Sequence, residues 1–75
     1  MKILRFNLKT ALSQYEAKTG LRLTYEELSQ LAEISVDTIK SLATRNNYNA
    51  TLHLISQISR VLNINPIDHF EWVDE

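Results

Sequence analysis

The stretch from Leu23 to Leu42, LTYEELSQLAEISVDTIKSL, reads as two short helices joined by a tight turn. Thr24 followed three residues later by Glu27 has the form of a capping box, in which hydroxyl and carboxylate each satisfy a backbone N–H left open at a helix start. A helix is therefore expected from about Tyr25, with Leu28, Leu31 and Ala32 as its inward stripe and Glu26, Glu27, Gln30 and Glu33 on the wet side. Ser35 offers a second cap, and from Val36 onward Ile39, Leu42 and Ala43 form a new inward stripe. Only about two residues separate the two helical patterns, which forces a sharp reorientation.

The outward face of the second helix, spanning about 36–44, decides what such a motif can do. At roughly 100° per residue, Asp37, Lys40, Ser41 and Thr44 fall within about a 100° arc opposite the apolar stripe, with Val36 at its edge. A helix presenting these short donors and acceptors can enter the DNA major groove, where base edges display a readable pattern of donors, acceptors and thymine methyls. A solvated polar face on an ordinary two-helix corner has the same composition, so the spacing alone leaves both readings open.

Outward from the motif the chain reads as scaffold. In FNLKTALSQYEAKTG, Leu8, Ala11, Leu12 and Tyr15 make the inward stripe of a preceding helix, Lys18 sits in its last turn, and Gly20 can end it in a left-handed conformation. Leu21 and Leu23 are expected to pack under the motif, and Ile3 and Leu4 to pack ahead of the first helix. Asn46, Asn47, Tyr48 and Asn49 form a polar loop, after which a helix from about Thr51 to Leu62 turns Leu52, Ile55, Ile58, Val61 and Leu62 inward and ends at Asn63. Asn65 then caps a short fifth helix with Pro66 at its first position, Ile67 and Phe70 packing inward and Trp72 left near the end of the chain. The expected fold is all-α, a compact bundle of about five helices.

The run resembles the helix-turn-helix of the Cro and lambda-repressor-like superfamily of bacterial and phage regulators: Thr24, Glu26, Glu27, Leu28, Ser29, Ile34, Ser35, Thr38, Ile39 and Leu42 follow its pattern in order. The resemblance continues through Leu52, Ile55, Ile58, Leu62, Ile64, Pro66, Asp68, Phe70, Glu71 and Trp72, and covers about four fifths of the chain. It implies one domain over 1–75, with the motif at about 24–44 and a short acidic tail at 71–75, and a sequence-specific DNA-binding transcriptional regulator acting in the cytoplasm. The implied base-facing residues are Val36, Asp37, Lys40, Ser41 and Thr44; the implied contacts to the DNA backbone are Thr24, Tyr25, Ser35, Arg45, Asn46 and Asn47. The last helix of similar repressors often builds a two-fold interface, which here implies a homodimer through Phe70 and Trp72. The sequence departs from the pattern at the turn, where Glu33 stands in place of the usual glycine, at a cost of about 1 kcal/mol in a left-handed conformation. It departs again at Tyr25, where glutamine is frequent, although a phenol hydroxyl can also reach a phosphate oxygen.

Composition bounds these expectations. The 75 residues are 44% hydrophobic, enough for one core and no more. With no cysteine there is no disulfide or thiolate metal site, and neither a membrane-length apolar run nor a signal peptide is read at the amino terminus. His53 and His69, expected on the surface of different helices, have no acidic cluster at metal-ligand spacing. No catalytic constellation, cofactor motif or small-molecule pocket is legible, and enzyme function is not expected.

Charge argues against DNA, since phosphate neutralisation supplies most non-specific affinity and the chain carries a net −1. Its distribution softens that objection. All eight Lys and Arg precede residue 66, where they meet five acids for a net +3, and the last ten residues carry four acids and no base for a net −4. The alternative expectation is a protein-interaction module on the same fold, with little DNA affinity and its contact surface on the last helix and tail.

Overall fold

The computed structural model describes residues 1–45 and 48–74. Strand β1 (Lys2–Phe6) leads into α1 (Leu8–Thr19), α2 (Tyr25–Ala32) and α3 (Val36–Thr44). Helix α4 (Leu52–Leu62) follows, then a single 3₁₀ turn over Pro66–His69 and strand β2 (Phe70–Asp74).

Each helix begins at a short polar side chain that accepts an otherwise unpaired backbone N–H. Asn7 Oδ1 accepts from Thr10 at 3.1 Å, Thr24 Oγ1 from Glu27 at 3.1 Å, Ser35 Oγ from Thr38 at 3.2 Å and Thr51 Oγ1 from Leu54 at 3.1 Å. Three helices end in left-handed residues, Gly20 at φ 74°, Glu33 at φ 58° and Asn63 at φ 53°. The expected ends at Gly20, Glu33 and Asn63 are thus all present, and at Glu33 an L-residue occupies a conformation glycine tolerates better.

The core takes its fully buried side chains from all four helices: Leu8 of α1, Leu28 of α2, Ile39 of α3, and Ile58 and Leu62 of α4. Buried Ala11, Ala32 and Ala43 keep the helix backbones close. Phe6 joins this core from β1, with Tyr15, Leu23, Tyr25, Ile34, Val61, Ile64 and Phe70 packed around it.

The fold is helix-rich but not the expected all-α bundle of five helices. The cap at Asn65 and the proline after it start only one 3₁₀ turn, and from Phe70 the chain runs extended, antiparallel to β1, in the register Lys2↔Asp74, Ile3↔Val73, Leu4↔Trp72, Arg5↔Glu71 and Phe6↔Phe70. Aromatic and β-branched Phe70, Trp72 and Val73 favour a strand once a partner strand is present. That partner is at the far end of the chain, outside any window of local periodicity.

Several apolar side chains expected inside are exposed. Leu31 and Ala32 flank Leu28 by about 60° and 40° on opposite sides, and α2 buries the alanine side, leaving Leu31 outside. Leu52 is at the first turn of α4, beyond the packed stretch that begins at Leu54, and Ile67 is exposed in the 3₁₀ turn. Leu21 and Leu4 are exposed as well, whereas Leu23 and Ile3 are half-buried.

Candidate nucleic-acid interface

Helices α2 and α3 are joined through Glu33, Ile34 and Ser35, and one side chain ties the corner together. Ser29 Oγ donates to the carbonyl of Ile34, while its own carbonyl accepts from Ile34 N–H at 3.1 Å and from the N–H of Glu33. The helix entry is fixed by the complete capping box: Thr24 N–H donates to Glu27 Oε1 at 3.0 Å, the reciprocal of the bond that Thr24 Oγ1 accepts. Donation from the Thr24 backbone N–H, with a smaller share from the Thr24 hydroxyl, holds the Glu27 carboxyl below its ordinary value. At the start of α3, Ser35 and Thr38 share a hydroxyl hydrogen bond of 2.8 Å in addition to the cap.

With its apolar side fixed by buried Ile39, Leu42 and Ala43, α3 turns Asp37, Lys40 and Thr44 to solvent. Val36 and Ser41 are half-buried at the two margins of that row. Thr44 donates its hydroxyl proton back to the Lys40 carbonyl at 2.7 Å, which leaves its oxygen able to accept. The five expected base-facing residues are therefore on one helix, three of them on its open face.

The expected backbone-contacting residues are more scattered in role. Thr24 and Ser35 are exposed, and both serve as helix caps. Tyr25 is half-buried with its ring against the core, and Arg45 is exposed at the C-terminal end of α3, its N–H bonded to Ser41 O at 2.9 Å. Asn46 and Asn47 lie outside the described residues.

Two residues of consequence escaped the sequence reading. Arg5, on β1, reaches with Nη2 to the carbonyl of Ala43, 3.5 Å away, so the terminal ribbon touches the last turn of α3. His69 was expected on the surface and is only 8% exposed. Its Nε2 donates to Gln14 Oε1 at 2.6 Å and its Nδ1 faces the Thr10 hydroxyl at 2.9 Å, both from α1, while its ring stands at 73° to that of Phe6 with centroids 6.3 Å apart. A histidine-to-glutamine or histidine-to-threonine contact across 55 or 59 positions leaves no local signature. His53 is exposed as expected. Among the described residues no group of three His, Asp or Glu side chains is placed to hold a metal ion, and no helix is long and apolar enough to cross a membrane.

No curated protein matches the chain. The family model for the Cro/C1-type HTH DNA-binding domain matches residues 12–75, and the chain belongs to this family of DNA-binding transcription regulators.

Proposed function

We propose that the chain recognises a specific duplex sequence, with α3 lying in the major groove. The observation that carries this reading is the open row of Asp37, Lys40 and Thr44 on the face of α3 opposite its buried stripe. In this reading Val36 touches a thymine methyl, Asp37 accepts from a cytosine amino group, Lys40 donates to guanine or to a phosphate, and Ser41 and Thr44 complete the base-facing row. Thr24, Tyr25, Ser35 and Arg45 contact the phosphates on either side, with Asn46 and Asn47 continuing along the backbone. The chain acts as a single domain in the cytoplasm, with no catalytic step and no cofactor.

Selection of bound sequences from a random duplex pool at two salt concentrations tests the reading. An enriched motif whose binding weakens with salt supports it. Lys40→Ala weakens binding, and Asp37→Ala relaxes preference at one base pair. If the pool yields no enriched sequence at either salt, the reading is wrong.

A second copy of the chain fits the same reading. The expected dimer through a C-terminal helix loses that helix, and Phe70 is turned toward Phe6, with ring centroids 5.7 Å apart. Trp72, 66% exposed, stands opposite exposed Leu4 on one face of the ribbon, and this apolar pair supports self-association through the ribbon. A palindromic enriched motif with half-sites about one helical turn apart is the expected signature. Sedimentation of Trp72→Ser as a monomer beside an associating wild type would assign the contact.

A further inference from the structure

The chain has eight Lys and Arg against nine Asp and Glu, so its affinity for a polyanion depends on where the cations gather. Two are engaged inside the fold: Arg5 at the Ala43 carbonyl, and Lys18 Nζ at the Asn63 carbonyl, 3.1 Å away. Lys40 and Arg45 belong to α3 and its end. Lys9 and Arg22 meet somewhere else. They line an open groove of about 450 Å³ between α1 and the segment that enters α2, together with Ser13, Thr24, Tyr25 and Glu16.

Both cations are exposed, and among the described residues neither makes a hydrogen bond or ion pair within the chain, although Glu16 lines the same groove. Two basic side chains, one a planar guanidinium suited to bidentate contact with phosphate oxygens, thus converge with three hydroxyl-bearing residues. The single carboxylate lowers the local charge from +2 to +1, which matches the −1 of one phosphodiester. The groove opens at the start of α2, the helix whose other end turns into α3.

We propose that this groove is a phosphate-binding site that takes one backbone phosphodiester of the DNA duplex, held by Lys9 and Arg22. The proposal rests on the reading of α3 as the groove-reading helix, and it adds a contact on the α1 side that no base-facing residue supplies. Such a contact carries affinity and register without base preference. Each phosphate neutralised steepens the dependence of log affinity on log salt by about 0.9.

The test uses the full chain and the duplex enriched by selection, with binding measured across salt. The Lys9→Ala/Arg22→Ala double variant is expected to show a salt slope shallower by about 0.9, the loss of one neutralised phosphate, and each single variant a slope between that and the wild type's, with the enriched sequence unchanged. The charge-keeping Lys9→Arg/Arg22→Lys variant should keep the wild-type slope. Circular dichroism confirms that each variant is folded.

A folded double variant with the wild-type slope overturns the phosphate site and leaves the groove-reading proposal standing. A wild-type chain that binds no duplex overturns both. Inorganic phosphate, titrated into the wild type and followed through the amide resonances of Arg22, Thr24 and Tyr25, separates the two sources of the anion. Weak, unsaturated shifts are expected. Saturation by phosphate alone, with an unchanged duplex slope in the double variant, would make this a site for the free anion and overturn the DNA assignment.

Discussion

The helix-turn-helix and the terminal ribbon are built by opposite means. In the motif, the bonds that start the helices and close the turn span a few residues: Thr24 with Glu27, Ser35 with Thr38, Ser29 with Ile34. In the ribbon, β1 and β2 come from the two ends of the chain, and the Asn7 side-chain amide that donates to the Glu71 carboxylate reaches across 64 positions. The matched family range, 12–75, takes in the whole motif and β2 but leaves out β1. The motif is thus specified locally and shared with a family, whereas the ribbon is specified by the body that brings its strands together. A two-stranded ribbon is marginal in water by itself, and this one is anchored at its base by Phe6, Phe70 and His69.

The anchoring makes the ribbon part of the core, and truncating the anchor is the strongest way to break the contrast. Phe6→Ala removes a buried ring that meets both His69 and Phe70 and is expected to cost about 3–5 kcal/mol in urea denaturation. Leu28→Ala, at the centre of the motif, is expected to cost about 2–5 kcal/mol. If Phe6→Ala cost less than about 1 kcal/mol while Leu28→Ala kept its full effect, the ribbon would be an appendage and not a part of the core.

Capping sharpens the comparison at the next scale. Thr24→Ala removes the motif's entry cap and is expected to lower stability by about 1 kcal/mol. The same substitution should also change the pH dependence. Because the folded chain lowers the Glu27 pKa, the ionised carboxylate favours folding; its contribution is complete above the ordinary value of 4.5 and disappears as pH falls through the lower folded value. Acid titration of stability should therefore be flatter below pH 4.5 in Glu27→Gln than in the wild type, and only slightly flatter in Thr24→Ala, which keeps the backbone N–H that contributes most. Equal acid sensitivity in Glu27→Gln and the wild type would dissociate Glu27 from the cap.

A smaller effect with the opposite sign is expected at the turn. Glu33 adopts φ 58°, and Glu33→Gly should raise stability by about 0.5–1 kcal/mol, the relief of a left-handed L-residue exceeding the added freedom of the unfolded chain. A fall in melting temperature would show that the Glu33 side chain stabilises the turn by some means other than its backbone. The smallest change belongs to the outer face of the ribbon, where Trp72→Ser should alter monomer stability by no more than about 0.5 kcal/mol, because the ring is mostly in solvent. A larger loss in a dilute thermal melt would mean that Trp72 is packed in solution.

The candidate site divides along the same line. The row of Asp37, Lys40 and Thr44 was legible because a helix advances by a fixed angle per residue, so its outer face follows from its inner one. Tyr25 shows where that logic stops: its ring packs against the core while the residue also lines the groove beside Lys9 and Arg22, a placement that no helical angle gives. Lys9 and Arg22 entered the sequence reading only as charge, since the groove they share exists only after α1 folds against the segment leading into α2. Glu71, read as part of an acidic tail, is opposite Arg5 in the ribbon and bonded to Asn7. The last residues are therefore structural before they are electrostatic.

Local chemistry determined the four helices and their ends. Thr24, Ser35 and Thr51 start helices, and Gly20, Glu33 and Asn63 end them, because cap and backbone donor are at most three residues apart and left-handed positions stop a helix wherever they occur. Tertiary structure alone decided which apolar positions were covered, so that Leu28 is buried and Leu31 is not, and it buried His69 against α1. It also turned an expected fifth helix into a strand. Phe70 to Asp74 has little local preference strong enough to hold it, and the backbone partners that β1 supplies from the other end of the chain are what make the extended form the stable one.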